Sequence, residues 1–152
     1  MTIRIMNIMD YEQAYALWEN TPGMGLNNLD DTRESIERYL ERNPNTCFVA
    51  EKKARIVGII LCGHDGRRGF IYHMATAESE QRQGIGAALL KAAMSALERE
   101  GIHKVGLAVF ADNIKGNSFW EKQGFHVRKD ILYRNKEITK LVYAARGEEI
   151  ER

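Results

Sequence analysis

The segment of residues 80–101, EQRQGIGAALLKAAMSALEREG, constrains this chain most, because a glycine-containing turn directly precedes an amphipathic helix. Apolar residues recur at intervals of three and four, which predicts a helix from about 84 to 100 that ends at Gly101. The first N–H groups of a helix have no carbonyl oxygen four residues earlier to bond. Gly84 and Gly86 let a ligand approach that backbone closely, so the turn is a candidate anion-binding site.

The glycine turn has competing interpretations. The two glycines alone are compatible with a tight turn between a strand and a helix. A dinucleotide-binding fingerprint requires a third glycine where this chain has Leu89, although Asp112 at the end of the next strand would suit its ribose-binding acid. A P-loop is excluded because no Gly-Lys-Ser or Gly-Lys-Thr follows the turn.

The chain before the turn alternates between strand-like and helical segments. The N-terminal TIRIM predicts a strand. Two helices follow, with the spacing of a capping box at Asp10 and Gln13 and again at Asp31 and Glu34, and they are joined by the loop TPGMGLNN at 21–28. An antiparallel meander of three strands is then predicted at TCFVAEK, RIVGIILCG and GFIYHMAT.

After the glycine turn and its helix, we predict a strand at KVGLAVF and a helix at NIKGNSFWEKQ that ends at Gly124. A final hairpin is predicted from FHVRKDILYR and ITKLVYAA, turning about Asn135 and Lys136. The element order β-α-α-β-β-β-α-β-α-β-β predicts an α+β fold with a mixed, mostly antiparallel central sheet flanked by helices. We expect one domain over residues 1–146 and a frayed charged tail over 147–152.

Charge and hydropathy argue against several classes of protein. Lysine and arginine total 22 against 21 acidic residues, so no basic field favours a nucleic-acid partner. The longest apolar run, at 56–63, is too short to span a bilayer, and the N-terminus has no signal-peptide pattern. We therefore expect a cytoplasmic protein with no membrane partner. Cys47 and Cys62 each lie in an apolar strand, which predicts buried reduced thiols and no metal site.

The glycine turn resembles the signature Q/R-x-x-G-x-G/A of the GNAT superfamily of acyl-CoA-dependent N-acyltransferases. The matching residues are Gln81, Arg82, Gln83, Gly84, Ile85 and Gly86. The strand FIYHMAT before the turn and the block VFADNIKGNSFWEKQGF after it stand at the spacing of that family. The resemblance implies a small, single-domain N-acetyltransferase of bacterial type, with acetyl-CoA as cosubstrate and no metal.

The resemblance also implies which residues bind the cosubstrate. The pyrophosphate would lie on the backbone N–H groups of the turn, from Gln81 to Ala87, at the positive end of the helix. The pantetheine arm would pair with the backbone of Met74, Ala75 and Thr76, and an N–H near Met74 would bind the thioester oxygen. Asn113 matches a pantetheine contact, and it is equally suited to cap the next helix.

Trp120 departs from the family pattern, because relatives often have a tyrosine there that protonates the leaving thiolate. An indole N–H donates a hydrogen bond but does not give up its proton, so Trp120 cannot be a general acid. It could bind the sulfur or simply complete the core beside the cosubstrate.

The general base is left open by the sequence. Tyr72 and His73 are candidates beside the expected thioester, and we expect them on opposite faces of their strand. Weaker candidates are Asp65, Glu51 and Tyr133.

The loop between the first two helices lies where relatives shape the acceptor pocket. The resemblance makes Met24, Gly25 and Leu26 candidates for an apolar wall, with Asp30 and Asp31 attracting a cationic amine. Asp31 alternatively caps the second helix.

The sequence thus predicts an acyl-CoA-dependent N-acetyltransferase in which a primary amine attacks acetyl-CoA directly in a ternary complex. The acceptor would be a small-molecule or peptide amine, and a homodimer is consistent with the family. Trp120 and the unidentified base also allow a non-catalytic acyl-CoA-binding or regulatory module. A dinucleotide-binding module is the more remote alternative.

Overall fold

A five-stranded sheet, whose strand order follows the chain, forms the centre of the molecule; the computed structural model describes residues 1–144. The strands are β1 (Thr2–Ile5), β2 (Phe48–Lys52), β3 (Arg55–His64), β4 (Gly69–Thr76) and β5 (Val105–Leu107). Strands β1 to β4 pair antiparallel, whereas β5 pairs parallel with β4. The predicted α+β fold with a mostly antiparallel sheet is confirmed.

Helices cover both faces of this sheet. The α-helices within the described residues are α1 (Tyr11–Glu19), α2 (Arg33–Arg42), α3 (Ile85–Arg99) and α4 (Ile114–Lys122), with short 3₁₀ turns at Ile8–Asp10 and Glu78–Glu80. Helix α3 packs on one face, and α1 and α2 pack on the other. The predicted helix that follows the glycine turn is confirmed almost residue for residue.

Strand β3 is the middle of the core because it is buried on both faces. Ile59 belongs to the apolar cluster that contains Trp18 of α1, and Ile60 belongs to the cluster that contains Leu89 of α3. Both isoleucines are 0% exposed, and burying each stabilises the fold by roughly 1.5–3 kcal/mol. This is why a nearly continuous apolar run forms a strand here.

Both predicted capping boxes are wrong in detail. Helix α2 is capped by Thr32, whose hydroxyl accepts a hydrogen bond from the Ser35 N–H at 3.1 Å, and not by Asp31. Asp10 stands at the N-cap of α1 but makes no side-chain cap bond, because its carboxylate binds the Arg4 guanidinium at 2.8 and 2.9 Å. Gln13 instead accepts from the backbone N–H of Ile56 at 2.9 Å.

The predicted final hairpin does not form within the described residues. Between Phe125 and Ala144, where the described residues end, there is no strand, and an isolated bridge pairs Tyr143 with Asn27 in the loop before α2. We call residues 126–140 the arm; every one of them is exposed. Alternating apolar residues form a strand only where they can pair with a neighbouring strand and pack on an apolar surface. The last strand before this segment, β5, has only three paired residues. The predicted tail at 147–152 and domain end at 146 lie outside the described residues.

The two cysteines are buried free thiols, as predicted. Burial raises the pKa of Cys47 and of Cys62 to about 12. The Cys47 thiol donates to the carbonyl oxygen of Cys62 at 3.0 Å. Cys47 belongs to the apolar cluster with α1 and α2, and Cys62 belongs to the cluster with α3.

Candidate active site

The turn between β4 and α3 presents backbone donors to solvent. Residues 81–84 are exposed, and the first hydrogen bond of α3 runs from the Ala88 N–H to the Gly84 carbonyl oxygen at 3.0 Å. The N–H groups of residues 85–87 therefore precede the hydrogen-bond ladder, and a glycine at the N-cap provides no side chain to bond them. These donors and the helix dipole together favour an anion.

Two left-handed residues shape this turn. Gly84 has φ 79°, a conformation that glycine adopts without penalty. Arg82 has φ 65°, and the left-handed conformation costs a residue with a side chain about 1 kcal/mol. Non-glycine residues held in this region cluster at ligand-binding sites.

Gly86 marks the closest approach of α3 to its neighbours. A Cβ atom at this position would lie 3.1 Å from Cε of Met74 on β4 and 3.4 Å from the ring of Phe119 on α4. The absence of a side chain therefore keeps the start of α3 close to both elements.

Strand β4 has an open edge beside this turn. The parallel pairing with β5 covers only Gly69 to Ile71, and no described strand pairs with that edge further along. The Ala77 N–H bonds the Val57 carbonyl oxygen at 2.8 Å on the β3 side. Because backbone groups alternate between the two edges of a strand, those of Met74 and Thr76 face the open edge and those of Ala75 face β3.

A cleft of about 280 Å³ opens where β4 and β5 separate. Its walls are the loop after α1, strand β4, the chain after β5, and α4. The lining residues are Thr21, Pro22, Gly23, Met24, Gly25, Ile71, Tyr72, Met74, Leu107, Ala108, Val109, Phe110, Asn113 and Trp120. The cleft and the exposed N–H groups of α3 thus flank the same end of β4.

Helix α4 contributes two of the predicted residues to this cleft. The Asn113 side chain caps α4 by accepting from the Gly116 N–H at 2.9 Å, and the same side chain lines the cleft. The Trp120 indole also lines the cleft, and it is held edge-on between Phe119 and Phe125 with ring centroids 5.0 and 5.1 Å away. Both interpretations of Asn113 are therefore compatible with its position.

Tyr72 and His73 do not lie on opposite faces of β4, which corrects the prediction. The pairing register with β3 shifts between Leu61 and Cys62, and the resulting bulge leaves Tyr72 as the extra residue. Tyr72 packs against Tyr39 of α2 and His73 against Trp18 of α1, so both side chains lie on the α1–α2 face.

The two side chains nevertheless have different surroundings. Tyr72 is 57% exposed and lines the cleft, and partial burial raises its pKa, so the phenol stays protonated at neutral pH. His73 is buried outside the cleft lining, with Nε2 2.7 Å from Oδ1 of Asp31.

The buried pair of His73 and Asp31 fastens the loop after α1 to β4, and sequence reasoning missed it. The other carboxylate oxygen of Asp31 accepts from the Asn27 N–H at 2.8 Å, and its carbonyl oxygen accepts from the Tyr11 hydroxyl at 2.6 Å. The signal available in the sequence was Thr32, which follows Asp31 directly. Because the Thr32 hydroxyl caps α2, the Asp31 carboxylate can bind another partner.

The predicted acceptor residues are divided between the cleft and the core. Met24 and Gly25 line the cleft, whereas Leu26 is 5% exposed and belongs to the core with α1 and α2. Neither of the weaker acidic candidates lines the cleft: Glu51 pairs with Arg4 at 3.2 Å, and Asp65 accepts from the turn N–H groups after it.

Residues 1–144 contain no cluster of three or more His, Cys, Asp or Glu side chains that could hold a metal ion. No helix among them has the length and apolar character required to span a membrane.

Comparison with known proteins agrees with this geometry. The family model for the acetyltransferase (GNAT) family matches residues 11–125. An acetyltransferase of Sodalis glossinidius is 31% identical over 138 residues, which cover 91% of this chain and 96% of the relative.

Solved structures share the fold. The PaiA N-acetyltransferase from Thermoplasma acidophilum, in complex with coenzyme A, superposes with a TM-score of 0.74 at 19% identity, covering 86% of this chain and 92% of that one. The aminoglycoside N-acetyltransferase AAC(6')-Iy, in complex with CoA, has a TM-score of 0.69 at 15% identity, covering 90% and 99%. The chain belongs to the acetyltransferase (GNAT) family and is an enzyme of acyl-CoA-dependent acetyl transfer.

Proposed function

We propose that this protein transfers the acetyl group of acetyl-CoA to a primary amine by direct attack in a ternary complex. The observation that carries the proposal is the juxtaposition of the open β4 edge with the exposed N–H groups at the start of α3. Acetyl-CoA has the matching chemistry, because its pyrophosphate is an anion and its pantetheine arm contains amides that can pair with a strand edge.

The residues of the turn would bind the pyrophosphate. The free N–H groups of Ile85, Gly86 and Ala87 provide the donors, and Gln81, Arg82, Gln83 and Gly84 form the exposed approach to them. The backbone groups of Met74 and Thr76 would pair with the pantetheine amides, and Asn113 offers its side-chain N–H₂ from the opposite wall. Ala75 supports this edge from the core side, since its side chain is buried.

The chemical step requires positioning and a site for negative charge. An ammonium acceptor first gives one proton to water, and the free amine nitrogen then forms a bond to the thioester carbonyl carbon. The carbon–sulfur bond breaks, the nitrogen gives a second proton to water, and the CoA thiolate takes up a proton from water. The backbone N–H of Met74 is proposed to donate to the carbonyl oxygen as it gains charge. Trp120 packs beside the sulfur and does not donate a proton.

Tyr72 is the proposed contact to the acceptor amine. Its hydroxyl belongs to the cleft, and the raised pKa keeps it a neutral group that can accept a hydrogen bond from an uncharged amine. His73 is not proposed as the base, because its Nε2 is bound to Asp31 in the core.

The proposed acceptor is a small-molecule or peptide amine that carries a positive charge before reaction. The exposed carboxylate of Asp30 follows the loop whose residues Met24 and Gly25 line the cleft. Together with the aromatic rings of Phe70 and Tyr72, whose centroids are 4.8 Å apart, it would attract a cation.

Calorimetry with CoA and acetyl-CoA, followed by a thiol-release assay across small amines and short peptides, tests the proposal. Binding followed by release of CoA thiol with at least one amine is the expected result. Binding with no turnover on any amine would instead favour a non-catalytic acyl-CoA-binding module. The reason to consider such a module is that Trp120 stands where relatives often have a tyrosine. Binding of neither ligand would contradict both.

A further inference from the structure

Two polar side chains behind the cleft take no part in the proposed chemical step, yet they are buried together. Asp31 and His73 are 4% and 8% exposed, and Nε2 of His73 lies 2.7 Å from Oδ1 of Asp31. An ionised carboxylate only accepts hydrogen bonds, so Nε2 carries a proton that it donates to Asp31. Two apolar side chains of similar shape often stabilise a core as well as such a pair does. Stability alone therefore does not require this contact.

Asp31 holds the loop after α1, which forms one wall of the cleft. Its Oδ2 accepts from the Asn27 N–H at 2.8 Å, and Met24 and Gly25 of the same loop line the cleft. The loop also bonds residues 142–144, which follow the arm, and those bonds lead to the end of the described chain and not to the sheet. The carboxylate of Asp31 joins this wall to β4.

His73 belongs to the other wall, because it lies between two residues of β4 that line the cleft. These residues are Tyr72 and Met74, and Nδ1 of His73 is 3.0 Å from the carbonyl oxygen of Tyr72. The histidine ring also packs against Trp18 of α1, with ring centroids 4.9 Å apart. Because Tyr72 is the bulged residue, it has no pairing partner on β3 to fix its direction. Its position therefore depends in part on the neighbouring histidine.

We propose that the pair of His73 and Asp31 positions the acceptor amine by holding Tyr72 at a fixed distance from the loop after α1. This role rests on the proposed function, in which Tyr72 contacts that amine. Neither member of the pair lines the cleft, so both are positioning residues. The CoA-binding edge is held differently, because Met74 and Thr76 pair in register with β3. Loss of the pair should therefore raise the acceptor KM and leave CoA affinity unchanged.

Steady-state kinetics at saturating acetyl-CoA, with the acceptor amine varied, tests this role. The double variant His73→Leu/Asp31→Leu replaces both buried groups by apolar side chains, a change that can leave stability nearly intact. We expect its acceptor KM to rise about 10-fold with a smaller change in kcat, because a displaced contact no longer holds the amine in place. The dissociation constant of CoA, measured by calorimetry, should stay the same.

Two further variants separate positioning from stability. His73→Gln retains an amide N–H that can donate to the Asp31 carboxylate, so its acceptor KM should stay within about threefold of the wild-type value. Leu97→Ala is the matched control for lost stability, since Leu97 is 3% exposed in the cluster with α3, on the other face of the sheet. This control should lower the melting temperature and leave the acceptor KM unchanged.

Amide exchange measured by NMR provides a readout that needs no turnover. The Asn27 amide should exchange slowly in the wild type and at least about 10-fold faster in the double variant, whereas the Ala88 amide at the start of α3 should be unchanged. An unchanged acceptor KM in the folded double variant, an equal rise in His73→Gln or Leu97→Ala, or fast exchange of Asn27 in the wild type would overturn the positioning role. Absence of turnover with any amine in the wild type would overturn the proposed function and this role with it, and differs from turnover with an unchanged KM.

Discussion

The part of the molecule up to Ile102 and the part after it have opposite relations to the core. Up to Ile102, strands β2 to β4 and helices α1 to α3 contribute buried apolar side chains to the two faces of the sheet. After it, β5 and α4 keep every residue at least partly exposed. The cleft lies between the two parts, so one of its walls belongs to the buried core and the other packs on the edge of that core through partly buried residues such as Leu107 and Trp120.

This difference separates two kinds of residue. Side chains of the first part that lie behind the site, such as His73, are fixed by the core and should affect stability when they are changed. Side chains of the second part that touch the site, such as Asn113, should affect binding with little effect on stability.

The largest expected effect is on the buried pair of the first part. Asp31→Ala should lower the free energy of unfolding by about 3 kcal/mol, because His73 and the Asn27 N–H lose their partner inside the core. Urea denaturation measures the loss. The matched control is Asp30→Ala, the removal of an exposed carboxylate one residue away, which should change stability by less than about 0.5 kcal/mol. Equal losses for the two variants would contradict the proposed role of the pair.

The next effect concerns the junction of the two parts. Gly86→Val should weaken CoA binding on the order of 100-fold, about 2.7 kcal/mol, because the new side chain would meet Met74 and Phe119 and displace the N–H groups of the turn. Calorimetry measures the affinity. Gly106→Ala is the control, since the added methyl group would lie 3.9 Å from Phe70, an ordinary contact. Retained CoA affinity in Gly86→Val would place the pyrophosphate elsewhere.

A smaller effect is expected for Tyr72→Phe, which removes only the hydroxyl of a half-exposed side chain. The value of kcat/KM should fall about 10-fold, with CoA affinity and stability unchanged. Burial raises the pKa of Tyr72 above its ordinary value of 10.0, so the protonated hydroxyl should remain available up to that pH and be lost only above it. A pH profile of the wild type beside the variant measures this difference. Unchanged kcat/KM in the variant would remove Tyr72 from the acceptor site.

The sequence predicted best where local pattern and core agree. The strict spacing of apolar residues in α3 fixed its face, and the long apolar run of β3 could only be a strand buried on both sides. The glycine turn was predicted for a related reason: helix geometry alone leaves its first N–H groups unbonded.

The sequence failed where tertiary contacts override local preference. A bulge moved Tyr72 by one position and turned it to the face of His73, and single-residue alternation contains no signal for such an insertion. Asp31 has good capping chemistry, but the next residue caps the helix and the carboxylate is used in the core. The final hairpin has a strand pattern, yet strand formation also depends on a neighbouring strand edge, which is a property of the surrounding fold and not of the segment.

The smallest predicted effect concerns Asn113 in the second part of the molecule, for which the sequence left two roles open, a contact to pantetheine and the cap of α4. Asn113→Asp should keep the melting temperature unchanged, because aspartate caps a helix as well as asparagine and its oxygen can still accept from the Gly116 N–H. The same change removes the side-chain N–H₂ of a residue that lines the cleft, so CoA affinity should fall about fivefold, or 1 kcal/mol. Thermal melting and calorimetry on one preparation separate the two roles. Thr32→Asp is the control, since it keeps the cap of α2 away from the cleft and should leave both values unchanged. Unaltered CoA affinity in Asn113→Asp would leave Asn113 with the cap alone, whereas a large loss of stability would show that α4 is held as firmly as the first part of the chain.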